Sequence, residues 1–167
     1  MSPTDTSIDL PRKIRAEPLT ARAFRPYGQV IEARGQPDRI INAGMCGRFH
    51  DLLDMDIQDG RPGLSIFRAV PRRFPYYLDL IERHPLGSQC FVPMTQHPFL
   101  VTVAIEGRVR AFVTEAGQAV NIGRGVWHGV LTPLHSPGLF AVIDRIGEGE
   151  NLVERKLDPP MIVEAPE

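Results

Sequence analysis

The sequence predicts an all-β domain, folded as a barrel or sandwich of short strands. In its 167 residues, 16 prolines and 15 glycines separate short apolar runs, at intervals of about ten residues that are typical of such folds. The runs are rich in β-branched and aromatic residues, which suit pleated, half-buried strands. The predicted strands are Gln29–Ala33, Leu64–Val70, Gln89–Met94, Phe99–Ile105, Val109–Thr114, Ala119–Ile122 and Leu139–Asp144.

Local signals place the turns and one or two short helices between these strands. Thr20 is a good N-cap residue and Pro26 follows soon after, so a helix of one to two turns is expected over Thr20–Phe24. Glu106-Gly107 separates two predicted strands as a tight hairpin turn does, since Gly can take a positive φ. The segment Tyr76–Arg83 fits neither the helical nor the strand period, and its structure is left open.

The chain reads as a single domain between two tails. Residues 15–155 carry the apolar runs, with no internal repeat and no second block of different composition. Residues 1–14 are polar and aperiodic, so we expect a flexible N-terminal tail. Residues 156–167 contain Pro159, Pro160 and Pro166, so we expect a loose C-terminal tail.

The composition argues against several classes of function. A net charge of −1 gives no general attraction to nucleic acid or to an anionic membrane. No apolar run approaches the roughly 20 residues of a membrane span, and the N-terminus lacks the apolar stretch of a signal peptide. Cys46 and Cys90 are too few for a disulfide framework. We therefore expect a cytoplasmic protein.

Two polar segments have the spacing of the two cupin motifs. The first places Glu82, His84 and Gln89 at positions i, i+2 and i+7. The second contains Gly117, Gly123 and Gly125 in that order and ends with His128. In a small β-barrel this spacing brings four polar side chains together at the barrel mouth. The expected fold is therefore a cupin-like β-barrel or jelly roll.

The four side chains predict one of two kinds of pocket. Glu82, His84, Gln89 and His128 stand at the positions where cupins carry metal ligands. Two imidazoles and one carboxylate can bind a divalent metal such as Mn, Ni or Zn. Gln89 is a weak neutral ligand that stands where a carboxylate is usual. The alternative is a metal-free pocket in which the same groups form hydrogen bonds to a polar substrate.

Other polar residues are candidates for substrate binding. Arg68 interrupts an apolar strand, where a guanidinium is costly to bury without a partner. It could bind a substrate carboxylate in bidentate fashion or form an internal ion pair with Asp144. Arg48 and His50 belong to a dense polar cluster that includes Asp51. His50 and Asp51 could act as a base and its orienting group or form a turn, and neighbouring strand residues face opposite ways.

Nearly the whole chain, from Pro18 to about Asn151, resembles the ureidoglycolate lyases, a cupin-like family of allantoin and purine catabolism. The most specific similarity is the segment Leu80–Gln89, followed by Phe91-Val92-Pro93. Further matching segments are Pro18-Leu19-Thr20, Tyr27–Glu32, Ile41-Asn42, Arg48–Leu52, Ser65–Ala69, Arg110–Phe112, Gly117–Asn121, Val126–His128 and Asp144-Arg145. The resemblance implies a homodimeric enzyme that releases urea from (S)-ureidoglycolate and forms glyoxylate.

The residues can be given roles in that chemistry. Elimination needs a base for the hydroxyl proton and an acid for the leaving nitrogen. His84 or His128 would be the base, because an imidazole pKa lies near neutrality, and Glu82 or the other histidine would be the acid. Arg68 would bind the substrate carboxylate. The predicted substrate-binding residues are Arg68, Gln89, Asn42, Arg48 and His50.

The chain departs from the family pattern in the second motif. Family members commonly carry Tyr-His after the Val-Asn pair and two successive histidines after Trp. This chain has Ile122-Gly123 and His128-Gly129 instead. Two alternatives to ureidoglycolate cleavage follow, because a fold does not fix a substrate: a cupin-like enzyme acting on a related small carboxylate, or a non-catalytic module that binds a small acid.

Overall fold

The computed structural model describes residues 10–167, whose regular secondary structure is almost entirely β. Over these residues it contains fifteen strands and one short helix, α1 (Ala21–Phe24). The strands are β1 (Lys13–Arg15), β2 (Glu17–Pro18), β3 (Gly28–Ile31), β4 (Arg39–Ile41), β5 (Cys46–Arg48), β6 (Arg61–Arg68), β7 (Tyr76–Arg83), β8 (Gln89–Pro93), β9 (Phe99–Ile105), β10 (Arg108–Val113), β11 (Ala119–Ile122), β12 (Trp127–Gly129), β13 (Thr132–Pro133), β14 (Leu139–Ile146) and β15 (Val153–Glu164).

Two sheets enclose the core. The larger sheet has the order β1-β15-β7-β12-β9-β10-β2, with β13 pairing to β9. The smaller has the order β3-β11-β8-β14-β6. Apolar side chains from the two sheets meet between them, among them Val103 and Phe112 from the larger sheet and Phe91 and Val142 from the smaller. The predicted all-β, cupin-like barrel is confirmed.

All seven predicted strands overlap strands of the structure, and the local signals were correct. The Thr20 side chain accepts a hydrogen bond from the backbone N–H of Ala23 at 3.1 Å, as an N-cap should. Glu106 and Gly107 have φ angles of 48° and 76°, the two positive values that a type I′ hairpin turn requires. Helix α1 is a single turn, and none of the described residues forms a helix long and apolar enough to cross a membrane.

The segment whose period was unclear, Tyr76–Arg83, is strand β7. Burial alternates from Tyr76 to Asp79 and then loses its regularity. At the same place the register of the neighbouring strand β15 shifts between Lys156 and Met161. The bulge places extra residues of β15 opposite Asp79, which changes the local twist and disturbs the alternation.

The prediction of a loose C-terminal tail was wrong. Residues 153–164 form β15, which pairs with β7 on one side and with β1 on the other. Met161 and Val163 are buried, so their burial stabilises this last strand. Pro159 and Pro160 misled the prediction because they lie in the bulge, where the ladder does not need their N–H groups. Of the predicted N-terminal tail, residues 1–9 lie outside the described part, and residues 13 and 14 belong to β1.

Candidate functional site

Strand pairing brings three polar side chains together inside the barrel. β12 lies antiparallel to β7 with His128 opposite Glu82, and His84 follows two residues after Glu82. The His84 and His128 rings lie 5.3 Å apart between centroids. His84 Nε2 is 4.0 Å from Glu82 Oε1, and one ligand atom from each of the three residues lies within 4.8 Å of the others. We call Glu82, His84 and His128 the triad.

Backbone carbonyl groups fix the orientation of both imidazoles. His84 Nδ1 lies 2.8 Å from the carbonyl oxygen of Asn151, and His128 Nδ1 lies 2.8 Å from that of Gly129. Because a carbonyl oxygen only accepts hydrogen bonds, each Nδ1 must carry the proton. Each neutral ring then presents its Nε2 lone pair. Both Nε2 atoms are buried and have no hydrogen-bond partner among residues 10–167.

Asn151 also positions the turn that carries His84. Its side-chain oxygen accepts the backbone N–H of Leu86 at 2.7 Å, while its backbone oxygen holds the His84 ring. On the other side, the backbone N–H of Gly125 donates to the carbonyl of His84 at 2.9 Å. His84 is therefore held through both its side chain and its backbone. No sequence motif marks Asn151, because a polar residue in a loop carries no periodic signal.

Burial changes the proton affinity of the triad. Burial raises the pKa of Glu82, and the nearby Glu154 adds to the rise while His84 opposes it. Burial lowers the pKa of His128 to about 4; its hydrogen bond to Gly129 opposes the shift and His84 adds to it. Both shifts disfavour charge. Two free imidazole nitrogens and one carboxylate nevertheless form a donor set that suits a divalent transition metal.

Gln89 lies in the same interior as the triad. It is on the same face of β8 as Phe91, whose ring lies 6.5 Å from that of His128. Its side-chain Nε2 donates to Asp144 Oδ2 at 3.1 Å, and its Oε1 is buried with no partner among the described residues. Asp144, which the sequence suggested as an ion-pair partner of Arg68, instead accepts this hydrogen bond from Gln89.

Arg68 is not part of this group. In the β14–β6 pair, Arg68 lies opposite Leu139 and Asp144 lies opposite Gly63. Five residues of strand therefore separate the two positions, a distance of about 17 Å. Arg68 is also exposed. The suggested Arg68–Asp144 ion pair is wrong, because the register of β14 against β6 places the two residues near opposite ends of this strand pair.

The other predicted substrate-binding residues lie on an exposed hairpin. Asn42 is in the turn between β4 and β5 with a φ of 53°, and Arg48 ends β5. The backbone N–H of His50 donates to Asp38 Oδ2 at 2.8 Å. Within residues 10–167, no hydrogen bond or ring contact joins these three residues to the triad.

Comparison with known proteins agrees with this architecture. The model of the family described as ureidoglycolate lyase matches residues 11–164. The chain belongs to the ureidoglycolate lyase family. It is 54% identical to a ureidoglycolate lyase of Rhodobacter capsulatus, over 91% of this chain and 98% of the relative. It is 47% identical to one from Chelativorans sp., over 93% and 99%, and 46% identical to one from Burkholderia mallei, over 87% and 90%.

The departures from the ureidoglycolate lyase pattern leave the triad intact. Gly129 follows His128 in β12, so a side chain there points to the opposite face. An added Cβ at Gly129 meets Leu78 at 3.0 Å, on the face away from the interior. Ile122 is buried in the core cluster, where its apolar side chain stands in place of the tyrosine that family members commonly carry. A second histidine after His128 is therefore not needed to complete the triad.

The lowered pKa of His128 predicts a pH-dependent stability. Below pH 6.5 the unfolded chain binds a proton at His128, whereas the folded chain does so only near pH 4. Stability should therefore be full above pH 6.5 and fall by roughly 3 kcal/mol toward pH 4. Urea denaturation of metal-free protein at pH 7 and 4.5 measures this loss.

The variant His128→Gln should lose much less stability over the same pH range. His97→Gln is the matched control, since it removes an exposed imidazole. Equal acid sensitivity in wild type and His128→Gln would show that another group is responsible.

Proposed function

We propose that this protein is a ureidoglycolate lyase that releases urea from (S)-ureidoglycolate and forms glyoxylate, a step of allantoin breakdown. The observation that carries the proposal is the close approach of His84, His128 and the Glu82 carboxylate inside the barrel, together with two Nε2 atoms that are buried without a partner among the described residues. Membership of the family supports the choice of reaction. The free cysteines, Cys46 and Cys90, support a reducing compartment, and we propose the cytoplasm.

We propose that the triad holds a divalent metal, with Mn, Ni and Zn as the candidates. Each ligand histidine donates its other ring N–H to a backbone carbonyl, which is usual for metal-binding imidazoles. The substrate is an anion, while the interior carries the carboxyl groups of Glu82 and Asp144 and lacks Arg68. A bound metal supplies the positive charge that attracts the substrate carboxylate and eases ionisation of the hydroxyl.

The remaining proton chemistry falls to Glu82. Cleavage removes the hydroxyl proton, forms the aldehyde carbonyl, breaks the carbon–nitrogen bond and adds a proton to the leaving ureido nitrogen. Glu82 would be one of the residues that hold the metal, and as a carboxylate it can take up the hydroxyl proton and return it to the leaving nitrogen. In a metal-free pocket the Nε2 atom of His84 would be the base instead.

Substitutions in the triad test the assignment. Glu82→Gln removes the proton carrier and His84→Ala removes a metal ligand, so each should lower turnover of racemic ureidoglycolate about 100-fold or more. Urea and glyoxylate are measured together. Metal content should fall in His84→Ala, and His135→Ala is the control because that imidazole is exposed.

Near-normal turnover in both variants would contradict the mechanism. A wild-type protein that releases no urea, with or without added Mn²⁺, Ni²⁺ or Zn²⁺, would favour the non-catalytic binding module. Turnover that survives complete metal removal would assign the base to His84 in a metal-free pocket.

We propose that the protein is a homodimer, with β6 at the interface. β6 ends the smaller sheet, and among the described residues it pairs only with β14. Its Leu64 and Ile66 are 65% and 55% exposed, on the same face of the strand. An antiparallel β6–β6 contact centred on Ser65 would place Leu64 of each copy beside Ile66 of the other. This self-complementary pattern favours a second copy of the chain as the partner.

Charge at the proposed interface should separate the copies. The variant Ile66→Asp should be monomeric by size-exclusion chromatography with light scattering, while the wild type is dimeric, because a buried unpaired carboxylate is costly. Val153→Asp, at another exposed apolar position, is the control and should remain dimeric. A monomeric wild type or a dimeric Ile66→Asp would contradict this interface.

A further inference from the structure

We propose that Gln89 and Asp144 form a subsite that accepts N–H groups and binds the ureido end of the substrate. Asp144 is the positioning residue, because it sets the direction of the Gln89 amide. The inference rests on the proposed function and names the residues that would recognise the ureido group within the same pocket.

Burial and strand pairing fix this pair in place. Gln89 is the first residue of β8 and Asp144 lies in the adjacent strand β14. Gln89 is only 6% exposed, and its Nε2 donates to Asp144 Oδ2 at 3.1 Å. The other end of the amide, Oε1, is buried and has no partner among residues 10–167. A buried carbonyl oxygen without a hydrogen bond is unfavourable. The unpaired Oε1 therefore favours binding of a ligand that donates a hydrogen bond to it.

The orientation of the amide follows from the chemistry of its neighbour. A carboxylate can only accept hydrogen bonds, so the NH₂ group of Gln89 must face Asp144. The carbonyl oxygen then faces the opposite way. Gln89 shares a face of β8 with Phe91, which packs against His128, so that oxygen belongs to the interior that holds the triad. The pair thus presents the Gln89 Oε1 acceptor to the pocket.

An acceptor of this kind selects the chemistry of the ligand. The ureido group of the substrate carries N–H donors at its inner nitrogen and at its terminal NH₂. A ligand with only hydrogen-bond acceptors at this position would leave Gln89 Oε1 buried and unpaired, which is the type of mismatch that gives strong discrimination. The terminal ureido NH₂ is therefore the group that we assign to Gln89.

Asp144→Asn tests the positioning role with little change in shape. An Asn at 144 can also donate, which permits the Gln89 amide to reverse and present NH₂ to the pocket. The probe is N-carbamoylglycine, a ureido acid that lacks the reactive hydroxyl and cannot undergo the elimination. Calorimetry should show that Asp144→Asn raises the dissociation constant for N-carbamoylglycine at least about 10-fold, as expected for one lost hydrogen bond. Asp79→Asn is the control, because it makes the same replacement of a carboxylate by a carboxamide at an exposed position of β7. This variant should bind N-carbamoylglycine as wild type does.

A second variant separates substrate binding from metal binding. Gln89→Met keeps the approximate volume of the side chain and removes the acceptor. It too should therefore weaken the binding of N-carbamoylglycine about 10-fold, while the metal content stays at the wild-type level. With ureidoglycolate, KM should rise more than kcat falls in Asp144→Asn. Circular dichroism checks that both variants fold; if one does not, the other decides.

The possible outcomes distinguish this inference from the proposed function. Binding of N-carbamoylglycine within twofold of wild type in the folded variants overturns the subsite. Loss of metal in either variant also overturns it, because Gln89 would then be a metal ligand. Tight N-carbamoylglycine binding that depends on Asp144, in a protein that does not cleave ureidoglycolate, would support the subsite and reject the lyase assignment.

Discussion

The carbonyl oxygens of Asn151 and Gly129 accept the Nδ1–H groups of His84 and His128 at 2.8 Å each. These two contacts determine which ring nitrogen is free, and one ligand atom from each ring lies within 4.8 Å of the other ring's and of a Glu82 oxygen. Without them each imidazole could rotate or change tautomer, and the triad would not present two lone pairs together. The proposed metal site, the proton role of Glu82 and the binding of substrate all depend on this arrangement.

Burial then sets the charge of the centre. The pKa of Glu82 is raised and that of His128 is lowered to about 4, so burial disfavours the charged form of both groups. A divalent cation would reverse this preference for Glu82, because opposite charge stabilises a carboxylate. It would also compensate for the absence of Arg68 from the interior. The same cation therefore explains how an interior with two carboxyl groups could receive an anionic substrate.

Much of the fold could be predicted because its signals are local. The Thr20 cap, the Glu106-Gly107 turn and the short apolar runs each depend on neighbouring residues, and the motif spacing found Glu82, His84 and His128. The errors arose where distant pairing decides the structure. β15 is ordered by its pairing with β7 despite Pro159 and Pro160. Arg68 lies in β6, which overlaps the predicted strand, but only the register of β6 against β14 shows that Arg68 is far from Asp144.

The central claim is that both imidazoles present Nε2 to one metal, and ¹⁵N NMR of the histidine side chains tests it most directly. In metal-free protein, His84 and His128 should both carry a proton on Nδ1, and their Nδ1–H signals should exchange slowly with water. One equivalent of Zn²⁺ should shift the Nε2 signals of both rings together and leave His97 unchanged. A proton on Nε2 of either ring, or Nε2 signals that do not respond to Zn²⁺, would contradict the account.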